Sequence, residues 1–317
     1  MSSPRIIACA YSEVGHACLR YLLDRGAAVV AVYTHADAPG EGIWFPSVAR
    51  LAQERGVSVC IDRDLRSADE IARLESLAPD LLFSFYYRHV LPERVLAVPR
   101  LGAFNMHGSL LPRYRGRAPV NWAVLHGERE TGATLHVMTP AVDAGDIVDA
   151  EAVPIGEDDT AGEVQHRVTR AAVHVLARQL DALASGTAPR RAQNHALATT
   201  FGRRRPEDGA IDWSRNAADI HNLIRAVSHP YPGAMAVLGG RSTTVWQSRL
   251  SAVRVAGARP GQLRLIDARL YAVCGDGALL EIVRAQPDGE RELDGAALAP
   301  RLITTRDHNP ATHACES

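Results

Sequence analysis

The chain has 317 residues, more than one ordinary domain holds, and its 46% apolar and 22% charged residues suit a soluble globular protein of two domains. A formal net charge of −1 excludes a global basic field for nucleic acid, and no apolar run approaches the ~20 residues needed to span a membrane. All 35 basic residues are arginines, which excludes a Schiff-base lysine, a pyridoxal-phosphate enzyme of the usual kind and the lysine of a P-loop.

Met1–Arg5 lacks the charged-then-apolar layout of a signal peptide, so a cytoplasmic location without membrane insertion is expected. Arg5–Ala10 reads as a buried strand, and Glu13–Arg25 as a helix with Val14, Cys18, Tyr21 and Leu22 at helical spacing, stopped at Gly26. Strands Ala28–Tyr33, Val57–Cys60, Asp80–Phe85 and Leu101–His107 then alternate with helices Pro46–Arg55, Ser67–Leu77 and Pro92–Val98. Such alternation, with continuously apolar strands, predicts an α/β domain on a Rossmann-like parallel sheet covered on both faces. Helix Pro119–Gly127, strand Thr131–Met138 and a long helix over Thr160–Ser185 follow.

From Gly186 the character changes. Gly186–Gln193 and Phe201–Gly209 read as loops, and Asn216–Val227 as one clear helix. Six short runs come next: Ala234–Leu238, Arg241–Gln247, Leu250–Val255, Gly261–Ile266, Leu270–Cys274 and Leu279–Arg284. Glycines at 239–240 and 275–277 punctuate them as hairpin turns, so a small OB-like β-barrel is expected. The predicted division is 1–200, 201–305 and a polar tail over 306–317. Cys9, Cys18, Cys60, Cys274 and Cys315 are scattered without a CxxC pair, the pattern of free thiols and not of a zinc finger.

Open parallel sheets place their sites beyond the carboxyl ends of the strands. The turn after the first strand, Tyr11–Gly15, carries only Gly15 of the glycines a dinucleotide loop needs, which argues against NAD or FAD. The informative stretch is Phe104–Pro119, FNMHGSLLPRYRGRAP. Residues two apart on a strand share a face, so Asn105 and His107 present an amide and an imidazole side by side. A second stretch, Thr131–Asp146, TGATLHVMTPAVDAGD, breaks at Thr139-Pro140 into a loop holding Asp143. A carboxylate there could orient the His107 ring. His136 sits mid-strand and reads as structural, and His107, His136 and Asp143 match no metal-site spacing, so no metal is expected.

Together the two stretches resemble the signature of folate-dependent formyltransferases. Phe83–Pro92, Phe201–Gly209, Ala226–Met235 and Ser242–Arg249 extend the resemblance over about residues 5–300, and they resemble most the UDP-4-amino-4-deoxy-L-arabinose formyltransferase branch. The likeness is to the formyltransferase portion alone, with no dehydrogenase half. It implies formyl transfer from N10-formyltetrahydrofolate to the amine of a nucleotide-linked sugar, a catalytic triad of Asn105, His107 and Asp143, and no metal. It implies folate contacts at His89, Val90, Leu91, Arg117, Thr139, Pro140, Ala141 and Val142. Sugar-nucleotide contacts are expected at Arg204, Arg205, Tyr231 and Pro232. Methionyl-tRNA formyltransferases share the triad and both domains, and family enzymes acting on other nucleotide-linked amino sugars, such as dTDP-linked ones, look similar. The absence of a basic field and the string around Asn121-Trp122 favour the sugar. The partners implied are therefore small molecules, with no nucleic acid, and a homo-oligomer is compatible with them.

Overall fold

A computed structural model describes residues 3–37 and 42–302; the expected polar tail, with Cys315, lies outside the described residues. The chain forms two compact units. One comprises the chain to Ala123, Glu128–Gly156 and Glu163–Arg203; the other comprises Val124–Gly127, Glu157–Gly162 and the chain from Arg204.

In the first unit the strands are β1 (Arg5–Ala10), β2 (Ala28–Thr34), β3 (Val59–Ile61), β4 (Leu81–Phe85), β5 (Gly102–His107), the short β6 (Arg115–Gly116), β7 (Glu130–Val137), β8 (Ile147–Pro154) and the short β9 (Thr200–Phe201). The helices are α1 (Ser12–Asp24), α2 (Val48–Glu54), α3 (Ala68–Ser76), α4 (Glu93–Leu96), α5 (Pro119–Leu125), which runs into the second unit's segment, and α6 (Ala161–Ser185). Local chemistry sets several ends. The Ser47 and Ser67 hydroxyls accept from the Arg50 and Glu70 amides at the starts of α2 and α3. Gly26 closes α1 at φ +69°, a left-handed conformation that side chains resist.

The main sheet has the order β3-β2-β1-β4-β5-β7-β8. Strands β1 to β5 are parallel and apolar on both faces, and Ile7, Cys9, Tyr33, Leu74 and Leu82 form one of the cores they cover. The expected Rossmann-like parallel sheet is present, and at one edge β7 and β8 extend it in antiparallel direction. Strand β8 has no counterpart among the elements expected from sequence; its acidic residues Asp149 and Glu151 are both paired with Arg178 on α6.

The second unit is an antiparallel sheet with helix α7 (Ala217–Val227) packed on it. Its strands are β10 (Ala234–Leu238), β11 (Arg241–Arg254), β12 (Leu263–Ile266), β13 (Arg269–Val273), β14 (Ala278–Pro287) and β15 (Leu293–Asp294), followed by α8 (Gly295–Leu302). The two runs expected at Arg241–Gln247 and Leu250–Val255 are one strand, whose register against β14 shifts around Trp246 and Gln247. Helix α8 has no counterpart among the elements expected from sequence; it carries Pro300 in its interior, and Leu298, Ala299 and Leu302 anchor it in the core.

Candidate active site

Strand β5 runs antiparallel to β7, and Asn105 is the register partner of His136, so the two side chains share a sheet face. Because β7 ends beside Ala103, where the Met138 amide donates to the Ala103 carbonyl at 2.8 Å, a simple strand end could not bring Asp143 to His107. The loop after β7 instead folds back across the face and returns at Asp146, whose carbonyl accepts from the Val137 amide at 2.8 Å. The site therefore lies on the sheet face as well as at the strand end.

The folded-back loop brings Asn105, His107 and Asp143 together. His107 Nδ1 lies 3.6 Å from Asp143 Oδ2, and Nε2 lies 2.7 Å from the Tyr114 carbonyl. A carbonyl only accepts, so Nε2 carries a hydrogen and Nδ1 faces the carboxylate. Asn105 Nδ2 lies 3.1 Å from His136 Nε2 and 3.4 Å from Asp143 Oδ1. His136 Nδ1 is 2.8 Å from the Val137 carbonyl and so carries the ring hydrogen, leaving Nε2 to accept from Asn105. His136 thus belongs to the cluster, a correction to its reading as a purely structural residue. The alternation of β7 held the signal, since His136 and Thr134 point the same way, but the antiparallel pairing that gives His136 its partner was invisible.

The Gly116 amide donates to Asp143 Oδ2 at 2.8 Å. Burial alone would push the Asp143 carboxyl up; the His107 imidazole beside it and the Gly116 amide outweigh it and hold the group well below the usual carboxylate range. A depressed folded value means stability that is present above the unfolded value, about 3.9, and is lost as pH falls through the folded one. Asp143→Asn is accordingly expected to be less stable than the parent at pH 7, with the gap closing as pH drops below about 4. Denaturant titrations at a series of pH values check this; a gap independent of pH contradicts it.

Strain concentrates here. Tyr86, Tyr114, Ala118 and Asp143 all adopt positive φ without being glycine. Such residues cost roughly 1–3 kcal/mol each and persist where the surroundings over-determine them. A Cβ at Gly108, next to His107, would lie 1.8 Å from the Tyr86 hydroxyl oxygen, so a larger residue there would displace the Tyr86 ring.

The segment 193–202 is woven into the same loops. Strand β9 pairs with β6, the Tyr114 and Arg115 amides donate to the Thr199 side chain and carbonyl, and Phe201 stacks on both Tyr114 and Trp122. Gln193 joins the Asp143 loop.

Of the other expected contacts, His89 is exposed and meets His35 edge-on, Val90 is 56% exposed, and Leu91 is in the core, which leaves its main chain as the part a ligand could use. Arg117 donates to the Arg88 carbonyl at 2.8 Å, Thr139 to the Ala141 carbonyl at 2.9 Å, and Pro140, Ala141 and Val142 are exposed on the loop leading to Asp143. Arg204, Arg205, Tyr231 and Pro232 belong to the second unit, where Arg204 donates to the Asp208 carbonyl and the Arg205 amide to the Asp208 carboxylate.

Residues 13–180 match the model of the family described as Formyl transferase, and residues 204–301 match Formyl transferase, C-terminal domain. The chain belongs to the formyl transferase family. Its fold is shared by WlaRD, a sugar 3N-formyl transferase solved in the presence of dTDP and 5-N-formyl-THF, at 18% identity and a TM-score of 0.70 over 92% of this chain and 100% of that one. An N-formyltransferase from Helicobacter canadensis, in complex with folinic acid and dTDP-3-aminofucose, aligns at 21% identity and 0.70 over 90% and 100%. HypX from Aquifex aeolicus, in complex with tetrahydrofolic acid, aligns at 18% and 0.62 over 96% of this formyltransferase and 48% of its own chain. No helix among the described residues is long and apolar enough to cross a membrane, and none of their His, Cys, Asp and Glu side chains cluster as a metal site.

Proposed function

We propose that this formyltransferase moves the formyl group of N10-formyltetrahydrofolate to the amine of a nucleotide-linked amino sugar, with the 4-amine of UDP-4-amino-4-deoxy-L-arabinose as preferred acceptor. The observation that carries the reading is the cluster of an amide, an imidazole and a carboxylate on one sheet face, Asn105, His107 and Asp143. The two similar sugar N-formyltransferase structures, obtained with formyl-folates and dTDP or a dTDP-sugar, support the substrate class. The strings around Trp122, Tyr231 and Trp246 support the aminoarabinose branch within it.

The folate would be held by His89, Val90, Leu91, Arg117 and Thr139–Val142. Val90 and Val142, 56% and 52% exposed, offer apolar surface of the kind a flat ring covers. In the reaction the amine nitrogen bonds to the formyl carbon, the bond from that carbon to the folate nitrogen breaks, and one proton passes from amine to folate. Negative charge builds on the formyl oxygen. One Asn105 hydrogen is engaged by His136; the other meets Asp143 over a long 3.4 Å, a contact that a developing oxyanion can displace. His107 takes and returns the proton, and Asp143 orients its ring and stabilises its charged form.

No metal has a part in this scheme, so activity is expected to survive exhaustive chelation; loss restored by zinc would remove His107 and Asp143 as proton-handling residues. For the sugar nucleotide, the proposed contacts are Arg204, Arg205, Tyr231 and Pro232, the arginines facing a diphosphate. Arg204→Ala and Arg205→Ala should each raise the KM for the sugar nucleotide about tenfold and leave that for folate nearly unchanged, because a lost charged hydrogen bond is mainly ground-state binding. Equal, small changes in both constants would return sugar selection to Arg115–Trp122. Comparing kcat/KM for UDP-aminoarabinose with that for dTDP-linked 3-amino and 4-amino sugars tests the proposed acceptor; a clear preference for a dTDP sugar overturns it.

A further inference from the structure

Gln193 is 6% exposed and lies in the connection between α6 and β9, outside the Asn105, His107 and Asp143 cluster. Its Nε2 donates to the Asp143 carbonyl at 2.8 Å and to the Gly145 carbonyl at 2.7 Å. Its Oε1 accepts from the Arg115 guanidinium at 2.6 Å, and that guanidinium also meets His195 Nδ1 at 2.9 Å. Arg191, two residues earlier, pairs with Ile147 through both backbone hydrogen bonds, at 2.8 and 2.9 Å, which fixes Gln193 beside the loop.

The loop needs such support. Asp143 sits at φ +52°, in the left-handed region. Its carboxylate must at once meet the Gly116 amide, face His107 and lie within reach of Asn105. Gly145 has no room for a side chain, since a Cβ would lie 2.0 Å from the Val137 carbonyl oxygen, so the loop has one narrow path. One buried amide satisfies the two carbonyls that flank this path, and its other end is tied to Arg115, the residue before Gly116.

We infer that Gln193 is a positioning residue for formyl transfer: it holds the strained Asp143 backbone, and through it the carboxylate, against His107. The inference rests on the reading of Asp143 given above but adds a residue from the connecting segment. Small displacements of reacting groups can cost about a hundredfold in rate without weakening substrate binding. Gln193→Met keeps the shape and removes both donors. It is expected to lower kcat about 10- to 100-fold while both KM values stay within about threefold.

The decisive comparison is made in the full-length chain with Asp143→Ala already present. Adding Gln193→Met there should change kcat by less than about threefold, since Gln193 acts through Asp143. Losses that multiply overturn that route. Hydrogen exchange of the backbone over 141–147 should rise at least about tenfold in Gln193→Met, a readout independent of turnover; unchanged exchange overturns the clamp itself. Where Gln193→Met shows no cooperative melt, Gln193→Glu, which keeps the pairing to Arg115 and loses the donor to the loop, carries the same measurements. A parent chain that transfers to no amine while Gln193→Met shows the exchange change would defeat the functional reading and leave the clamp standing.

Discussion

Asn105→Ala and His107→Ala are each expected to lower formyl transfer by at least about a hundredfold with the fold intact, the loss seen when one donor to a developing oxyanion is removed. The reason lies in the geometry. Asn105 and His107 are two residues apart on β5, share its face, and meet Asp143 from the loop that folds back over it. Asn105→Ala should move the melting temperature little, whereas His107→Ala, which strips a buried partner from Asp143 and from the Tyr114 carbonyl, should lower it and still leave a cooperative melt. In Asn105→Ala the loss should fall on kcat with KM for either substrate little changed, because charge on the formyl oxygen exists only in the transition state. Near-normal turnover in either variant, with product confirmed, would remove that residue from the mechanism.

The second expectation concerns how Asp143 acts. Its carboxylate faces His107 Nδ1 while the Tyr114 carbonyl holds Nε2, so its role runs through the ring. His107→Ala combined with Asp143→Ala should therefore be little worse than the worse single variant, since members of one catalytic unit are strongly non-additive. Rates that fall multiplicatively would show separate roles. The single Asp143→Ala variant should lose at least about tenfold, because the imidazole keeps its carbonyl partner but loses the charge that orients its other side.

Much of this was legible in the sequence because it is local. The apolar runs of β1, β2, β4 and β5 and the spacing of Asn105 and His107 are one-dimensional signals, and so is the loop forced by Thr139-Pro140. What was not legible depends on pairing. The antiparallel direction of β7 is set by tertiary packing, and it makes His136 the partner of Asn105 and sends Asp143 back across the face. Strand β8 hides behind Asp149 and Glu151, whose charges interrupt its apolar pattern and find their partner only when Arg178 of α6 is placed beside them. Gln193 carries no signal at all in a segment of Ala, Pro and Arg, since a buried amide announces itself only through the two carbonyls it satisfies.

The most direct measurement supplies N10-formyltetrahydrofolate carrying an isotopically labelled formyl carbon, with UDP-aminoarabinose, dTDP-linked amino sugars and methionyl-tRNA as competing acceptors, and follows the label by mass. The expected result is labelled formamide on a sugar nucleotide, with stoichiometric release of tetrahydrofolate and no label on methionyl-tRNA. Label appearing on methionyl-tRNA and on no sugar, or no transfer to any amine, would contradict it.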